Sequence, residues 1–210
     1  MKQKEKLIEV VLFAIAFAFV ESSVVTYLRA IYYPEGFSFP LRMLGTSHAL
    51  VELTREFATI VMLVSVGMLA GSTRWQKFGY FLIAFGVWDI FYYVWLKVIL
   101  NWPATMLDWD ILFLIPIPWI GPVIAPVLIS IVMIGSGFLI IRQEAKGKIF
   151  HPPLLAWLIS VVASGIILYT FVQDTGATFH TQLPRPFRYE LFVPALLFYL
   201  LALRLCLREK

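Results

Sequence analysis

Nine residues, His48 to Glu56 in the stretch TSHALVELTREFATIVMLV, place a histidine, two glutamates and an arginine at the head of an apolar run. His48, Glu52 and Glu56 are spaced i, i+4, i+8. At ~100° per residue Arg55 joins them within an arc of about 100° on a helix. Imidazole and carboxylate on one face are suitable ligands for a divalent metal such as iron, manganese or zinc, which makes His48, Glu52 and Glu56 a candidate ligand set. Ionisable side chains within a membrane also mark ion and proton paths, so the same carboxylates suit acid–base work. A plainer alternative is a local i, i+3 ion pair between Glu52 and Arg55, with Asp89 bonded to a tyrosine or paired with Arg55. One ion pair does not need as many carboxylates as this chain offers.

Further polar groups fall at similar depth. Glu21 is followed by Ser22, Ser23 and Thr26; Asp89 is followed by Tyr93 and Lys97 at i+4 and i+8. Asp108, Asp110 and His180 lie in loops on the same side, and Glu190 opens the last apolar run. The expectation is a polar pocket open to the outer side. Glu56, Asp89 and Glu21 are its candidate catalytic acids and bases, and Arg55, Tyr93, Asp108, Asp110 and His180 are further lining groups. Lys97, at the end of a span, is expected to snorkel.

Other chemistries are excluded by their motifs. No ExxH pair is present for a carboxylate-bridged di-iron bundle. Three histidines (His48, His151, His180) are too few for a histidine-rich membrane hydroxylase. A rhomboid-type serine protease needs GxSG, but Ile134 precedes Gly135–Gly137 and Val162 precedes Ala163–Gly165 where that pattern needs glycine. GxGD, a P-loop and GxGxxG are absent. Cys206 is the only cysteine, which excludes a disulfide framework and CxxC redox chemistry.

The elements that must position these residues follow from composition. Of 210 residues, 60% are hydrophobic and 14% charged, against about 25% charged in soluble domains, and mean hydropathy is +0.84. Apolar runs near the ~20 residues that cross a bilayer recur along the chain, without the alternation of a β-barrel. The pattern predicts an all-α, polytopic integral membrane protein forming one domain over residues 1–210. Its six spans are about 7–28, 52–71, 78–100, 121–141, 153–172 and 191–207. The apolar part of the second span, Phe57–Gly71, gives only about 22 Å of helix, so it must extend backwards through Glu56 and Glu52 to cross ~30 Å. The first run is read as an uncleaved span rather than a signal peptide, because it continues apolar to Val25.

Before the fourth span, DWDILFLIPIPWIGPVIAP carries four prolines. Pro116 and Pro118 cannot sit inside a regular helix, so the segment reads as a short interfacial or re-entrant piece followed by an extended turn. Trp95, Trp102, Trp109 and Trp119 are expected near the outer surface as an aromatic belt.

Lysine and arginine divide unevenly between the two sides. Eleven (Lys2, Lys4, Lys6, Arg74, Lys77, Arg142, Lys146, Lys148, Arg204, Arg208, Lys210) fall on one side and four (Arg29, Arg42, Arg185, Arg188) on the other. The positive-inside rule then puts both termini in the cytoplasm of an inner-membrane protein. The net charge of +4 reflects these clusters and not a nucleic-acid surface. No internal repeat supports an inverted-repeat transporter. The sequence therefore predicts a small membrane-embedded enzyme or metal-binding protein acting on a lipid or other hydrophobic small molecule. A proton- or ion-coupled transporter, functioning as a homo-oligomer, or a subunit of a membrane complex is the alternative.

Overall fold

The first helix, α1 (Gln3–Tyr32), is thirty residues long, or about 45 Å. It continues through polar positions because the hydroxyls bond back to the preceding turn. Ser22, Ser23 and Thr26 donate to the carbonyls of Ala18, Phe19 and Ser22, each at 2.7 Å. In a computed structural model, which describes residues 3–42, 45–147, 150–180 and 182–208, α2 (Thr46–Ala70) and α3 (Arg74–Leu100) follow. A hairpin comes next, β1 (Trp109–Phe113) with β2 (Trp119–Pro122), then α4 (Ile124–Ala145), α5 (Leu154–Val172), the short α6 (Thr175–Phe179) and α7 (Tyr189–Arg208). Among the described residues six helices are long and apolar enough to cross a membrane; α6 is the exception. Lys2, Lys148 and Lys210 of the charge count lie outside the described residues.

The ends of the long helices alternate. At one end Gln3 Nε2 donates to the Ile141 carbonyl at 3.1 Å, and Lys6 Nζ to the Ala70 carbonyl at 2.9 Å. Thr73 donates to Glu144 there at 2.6 Å. The start of α1, the α2–α3 turn and the end of α4 therefore share one end of the bundle. Thr73 also caps α3 by accepting from Gln76 N at 3.1 Å. At the opposite end α3 stops on Asn101, whose φ of 53° is left-handed, and Lys97 Nζ covers the carbonyls of Asn101 and Pro103 at 3.3 and 2.8 Å.

Helix α3 is the hub, packed on α1, α2 and α4, while α5 pairs with α7. In an apolar surrounding helix association depends on close packing more than on the hydrophobic effect, and small residues permit it. Here Ala14, Ala18 and Ala84 are fully buried between α1 and α3. On the other side of α3, a Cβ added to Gly79 would lie 2.8 Å from Ile141 Cγ1, and one on Gly86 2.7 Å from the Ser130 carbonyl. One on Gly137 would collide with the Gly79 carbonyl.

The proline-rich segment departs from the all-helical expectation. Trp109 pairs with Pro122, Asp110 with Gly121 and Ile111 with Ile120, antiparallel. Pro116 and Pro118 fall in the connecting turn, where a missing N–H costs no ladder hydrogen bond. Since Gly121 and Pro122 complete β2, α4 starts at Ile124 rather than near residue 121. Trp95 is not simply a belt residue: its indole N–H donates to the Ile15 carbonyl at 3.0 Å, locking α3 along α1.

Candidate functional site

On α2 the buried positions Glu52, Glu56, Thr59, Leu63 and Gly67 recur every three or four residues, so one stripe faces inward. The polar upper part of that stripe meets the second half of α1, the last turns of α3 and the strand β1. Between them lies a cavity of about 130 Å³, room for a few waters or a small polar group.

Arg55 organises one wall. Its Nε and Nη2 donate to Glu52 Oε2 at 2.9 and 2.7 Å, and its Nη1 is paired with Glu21 Oε2. Glu21 Oε1 accepts from Thr59 Oγ1 at 2.5 Å. The guanidinium thus ties α1 to α2 and satisfies two buried carboxylates at once, as buried charges require. The local Glu52–Arg55 pair read from the spacing is present, but as one arm of a three-residue cluster.

A second ion pair forms the opposite wall. Arg29 Nη2 donates to Asp110 Oδ1 at 2.9 Å, both side chains being almost fully buried. The guanidinium plane sits over Trp102 at 3.7 Å and Phe37 at 4.1 Å, a cation–π cage that suits arginine's weakly hydrated, planar charge. Arg29 lies eight residues beyond Glu21, on the same face of α1.

Glu56 and Asp89 line the same cavity outside both pairs. Glu56 Oε2 accepts the Leu114 backbone N–H at 2.8 Å, in the turn after β1. Asp89 Oδ2 accepts from Ser130 Oγ of α4 at 2.8 Å. Neither has an arginine or lysine nitrogen within ion-pair distance among the described residues. Tyr92, Tyr93, Trp88 and Phe113 complete the aromatic part of the lining. Five carboxyl groups (Glu21, Glu52, Glu56, Asp89, Asp110) face three guanidinium groups (Arg29, Arg42, Arg55), a formal surplus of two negative charges.

Three residues anticipated with this group stand elsewhere. His48 is exposed, and its Nδ1 lies 2.5 Å from the Tyr32 hydroxyl. The strip His48–Glu52–Glu56 is therefore shared between a tyrosine, an arginine and a backbone amide. No group of three or more His, Cys, Asp or Glu residues among the described residues is placed to hold a metal. Asp108 closes a turn, accepting from Ala104 N and Thr105 Oγ1, both at 2.7 Å. Partial burial pushes its carboxyl up, but these hydrogen bonds and the charge of Lys97 outweigh that and hold it below the ordinary aspartate value. His180 ends α6, exposed and away from the cavity lining. At the rim, burial raises the Tyr33 hydroxyl's pKa, while the Arg42 N–H, donating to it at 2.6 Å, works against the rise.

Arg29, Thr59 and Ser130 were not singled out by the sequence. Thr59 carries a readable signal, since it continues the Glu52–Glu56 stripe. Arg29 is hidden by its place among the outer-side charges, although its i+8 relation to Glu21 points inward. Ser130 has no local signal, because its role depends on α4 crossing α3 at Gly86. No family model, no curated protein and no solved structure matches this chain.

Proposed function

We propose that this chain is a multi-pass protein of the inner membrane whose polar cavity faces outward and works as a small membrane-embedded enzyme. In this reading it carries out acid–base chemistry on the polar end of a lipid or other hydrophobic substrate. The observation that carries the proposal is the convergence of five carboxyl groups on one small cavity, two of them, Glu56 and Asp89, hydrogen-bonded but outside any ion pair among the described residues. A carboxyl not locked in an ion pair can take up and release a proton, which a general acid or base must do. Glu56 is the proposed proton carrier, with Asp89 as its partner. Arg55, Glu21 and Thr59 position the α1–α2 wall. Arg29, stacked on Trp102 and Phe37 and paired with Asp110, positions the hairpin.

A proton- or ion-coupled transporter is the second reading, supported by the surplus of acid over guanidinium groups. Against it stands the character of the other half of the bundle, where the second cavity is lined by apolar side chains with a few hydroxyls and offers a proton little to follow.

The test compares membranes of cells expressing wild type with those expressing Glu56→Gln, by mass analysis of total extracted lipids. A lipid species depleted by the wild type and left intact by a stably folded Glu56→Gln supports the enzyme. Identical lipid profiles, together with Glu56-dependent proton uptake by reconstituted vesicles, would move the protein to the transporter class.

A further inference from the structure

At the end of the bundle away from the polar cavity, α3 and α4 part from α5 and α7 and leave a groove of about 400 Å³. That volume falls within the ~300–1,000 Å³ of ligand sites. Trp75, Phe78 and Leu82 of α3, Val132 and Ile140 of α4, and Trp157 of α5 contribute to walls that are apolar almost throughout. Two of the few hydroxyls are already engaged: Ser164 Oγ donates to the Ser160 carbonyl at 2.8 Å and shares a hydrogen bond with Tyr199 at 2.6 Å. The groove asks for hydrocarbon. Phe78 and Trp157 are about half exposed, so it opens sideways.

The same end of the bundle is cationic. The Arg74 guanidinium lies 5.5 Å above the ring of Trp75, a groove residue. Lys77 stands one turn further along α3, on the side that packs on Gly67 and Gly71 at the end of α2; Arg142 and Lys146 close α4, and Arg204 is exposed on the α7 face turned away from the groove residues Ala202 and Cys206. None of these five belongs to an ion pair among the described residues. The acids of this end among the described residues, Glu5, Glu9 and Glu144, are outnumbered by these cations together with Lys4 and Lys6; Glu144 accepts from Thr73 and from the Phe150 N–H at 2.7 Å. A hydrocarbon slot at a net cationic end matches one molecule in its surroundings, an anionic phospholipid, since basic pockets on the cytoplasmic side of membrane helices bind such headgroups.

We infer that the groove between α3/α4 and α5/α7 holds one acyl chain of an anionic phospholipid, with its phosphate at the rim beside Arg74, which lies over the groove residue Trp75. The inference rests on the bilayer part of the proposed function and is independent of the acid–base part. Its occupant is a bound lipid, distinct from any substrate of the polar cavity.

The full chain would be reconstituted in nanodiscs of equal phosphatidylglycerol and phosphatidylcholine, re-extracted in mild detergent, and its retained lipid identified by mass spectrometry. Wild type is expected to keep phosphatidylglycerol in preference to phosphatidylcholine. Ser160→Trp, which fills the groove, is expected to lose it. Arg74→Gln changes one exposed rim position and keeps the fold decidable if Ser160→Trp does not assemble. It should reduce retention about fivefold, as the loss of one charge near a membrane surface implies. Equal retention of both lipids, or phosphatidylglycerol retention unchanged in Arg74→Gln, would overturn the inference. A chain stripped from membranes by alkaline carbonate would sink the bilayer reading itself, before any lipid is counted.

Discussion

At the scale of single residues, the cavity is held by two arginines that do different work. Arg55 is partly exposed and shared between two glutamates; Arg29 is buried with a single aspartate and two aromatic faces. Breaking a buried pair by removing one partner strands the other charge, at a cost of about 3–5 kcal/mol. Asp110→Asn and Arg29→Gln should each lower stability by about that amount, read as the unfolding midpoint in detergent. The double change Arg29→Met, Asp110→Leu should recover most of the loss. Single changes no worse than the ~0.5 kcal/mol of an ordinary surface substitution would show that the pair does not anchor the hairpin. Glu21, Glu52, Arg55, Glu56, Asp89 and Tyr93 were legible in the sequence as polar groups in apolar runs, and Asp110 as an acid in an outer loop, and all seven line one cavity. What spacing could not supply was the pairing. Helical geometry aligned His48 with Glu52, but Tyr32 at the end of α1 draws the imidazole away. Asp108 and Asp110, two residues apart, diverge because one ends a turn and the other faces inward from β1.

At the scale of elements, the close approach of α3 to α4 depends on Gly79, Gly86 and Gly137, where an added Cβ would collide with the facing helix. Gly137 and Gly135 sit two residues apart on α4 and face different surroundings. A Cβ on Gly137 meets the Gly79 carbonyl and Ile83, whereas one on Gly135 meets nothing within 4 Å. Gly137→Ala should therefore force the helices apart and cost about 1–3 kcal/mol, the range for overpacking. Gly135→Ala should be neutral or stabilising by up to about 1 kcal/mol, since alanine is the better helix former. Thermal unfolding of the two variants side by side checks this, and equal effects would show that the crossing has slack. The six long helices were readable from hydropathy alone, to within a few residues at most ends. The hairpin was not. Its three prolines, Pro116, Pro118 and Pro122, announced a break in helix, but β1 is a run of five residues, apolar except for Asp110, and periodicity cannot separate a short buried strand from a buried turn of helix. Strand pairing is a long-range fact that the segment does not encode by itself.

At the scale of the whole molecule, polarity is divided along the bundle axis. The carboxyl-rich cavity lies where α1 ends and α2 begins, and the apolar groove lies where α3 begins and α7 ends. The hydrogen bonds from Gln3 to Ile141 and from Lys6 to Ala70 place the first of the basic clusters beside the groove end. The eleven-to-four division of lysine and arginine therefore runs parallel to the division between groove and cavity. If the basic end faces the cytoplasm, the cavity must open to the outer side and its protons must exchange there. An alkaline phosphatase domain, active only outside the cytoplasm, tests this when fused after residue 210 and, separately, inserted at Gly36. Gly36 lies in the exposed turn after α1, where its φ of 111° is open to a glycine and no neighbour approaches within 4 Å. The C-terminal fusion should stay silent and the Gly36 insertion should be active. The reverse pattern would turn the molecule over and place Glu56 and Asp89 in contact with cytoplasmic protons. It would also put the unpaired cations of the groove end against the outer leaflet, so one inverted result would count against both the outward-facing enzyme and the cytoplasmic-leaflet lipid.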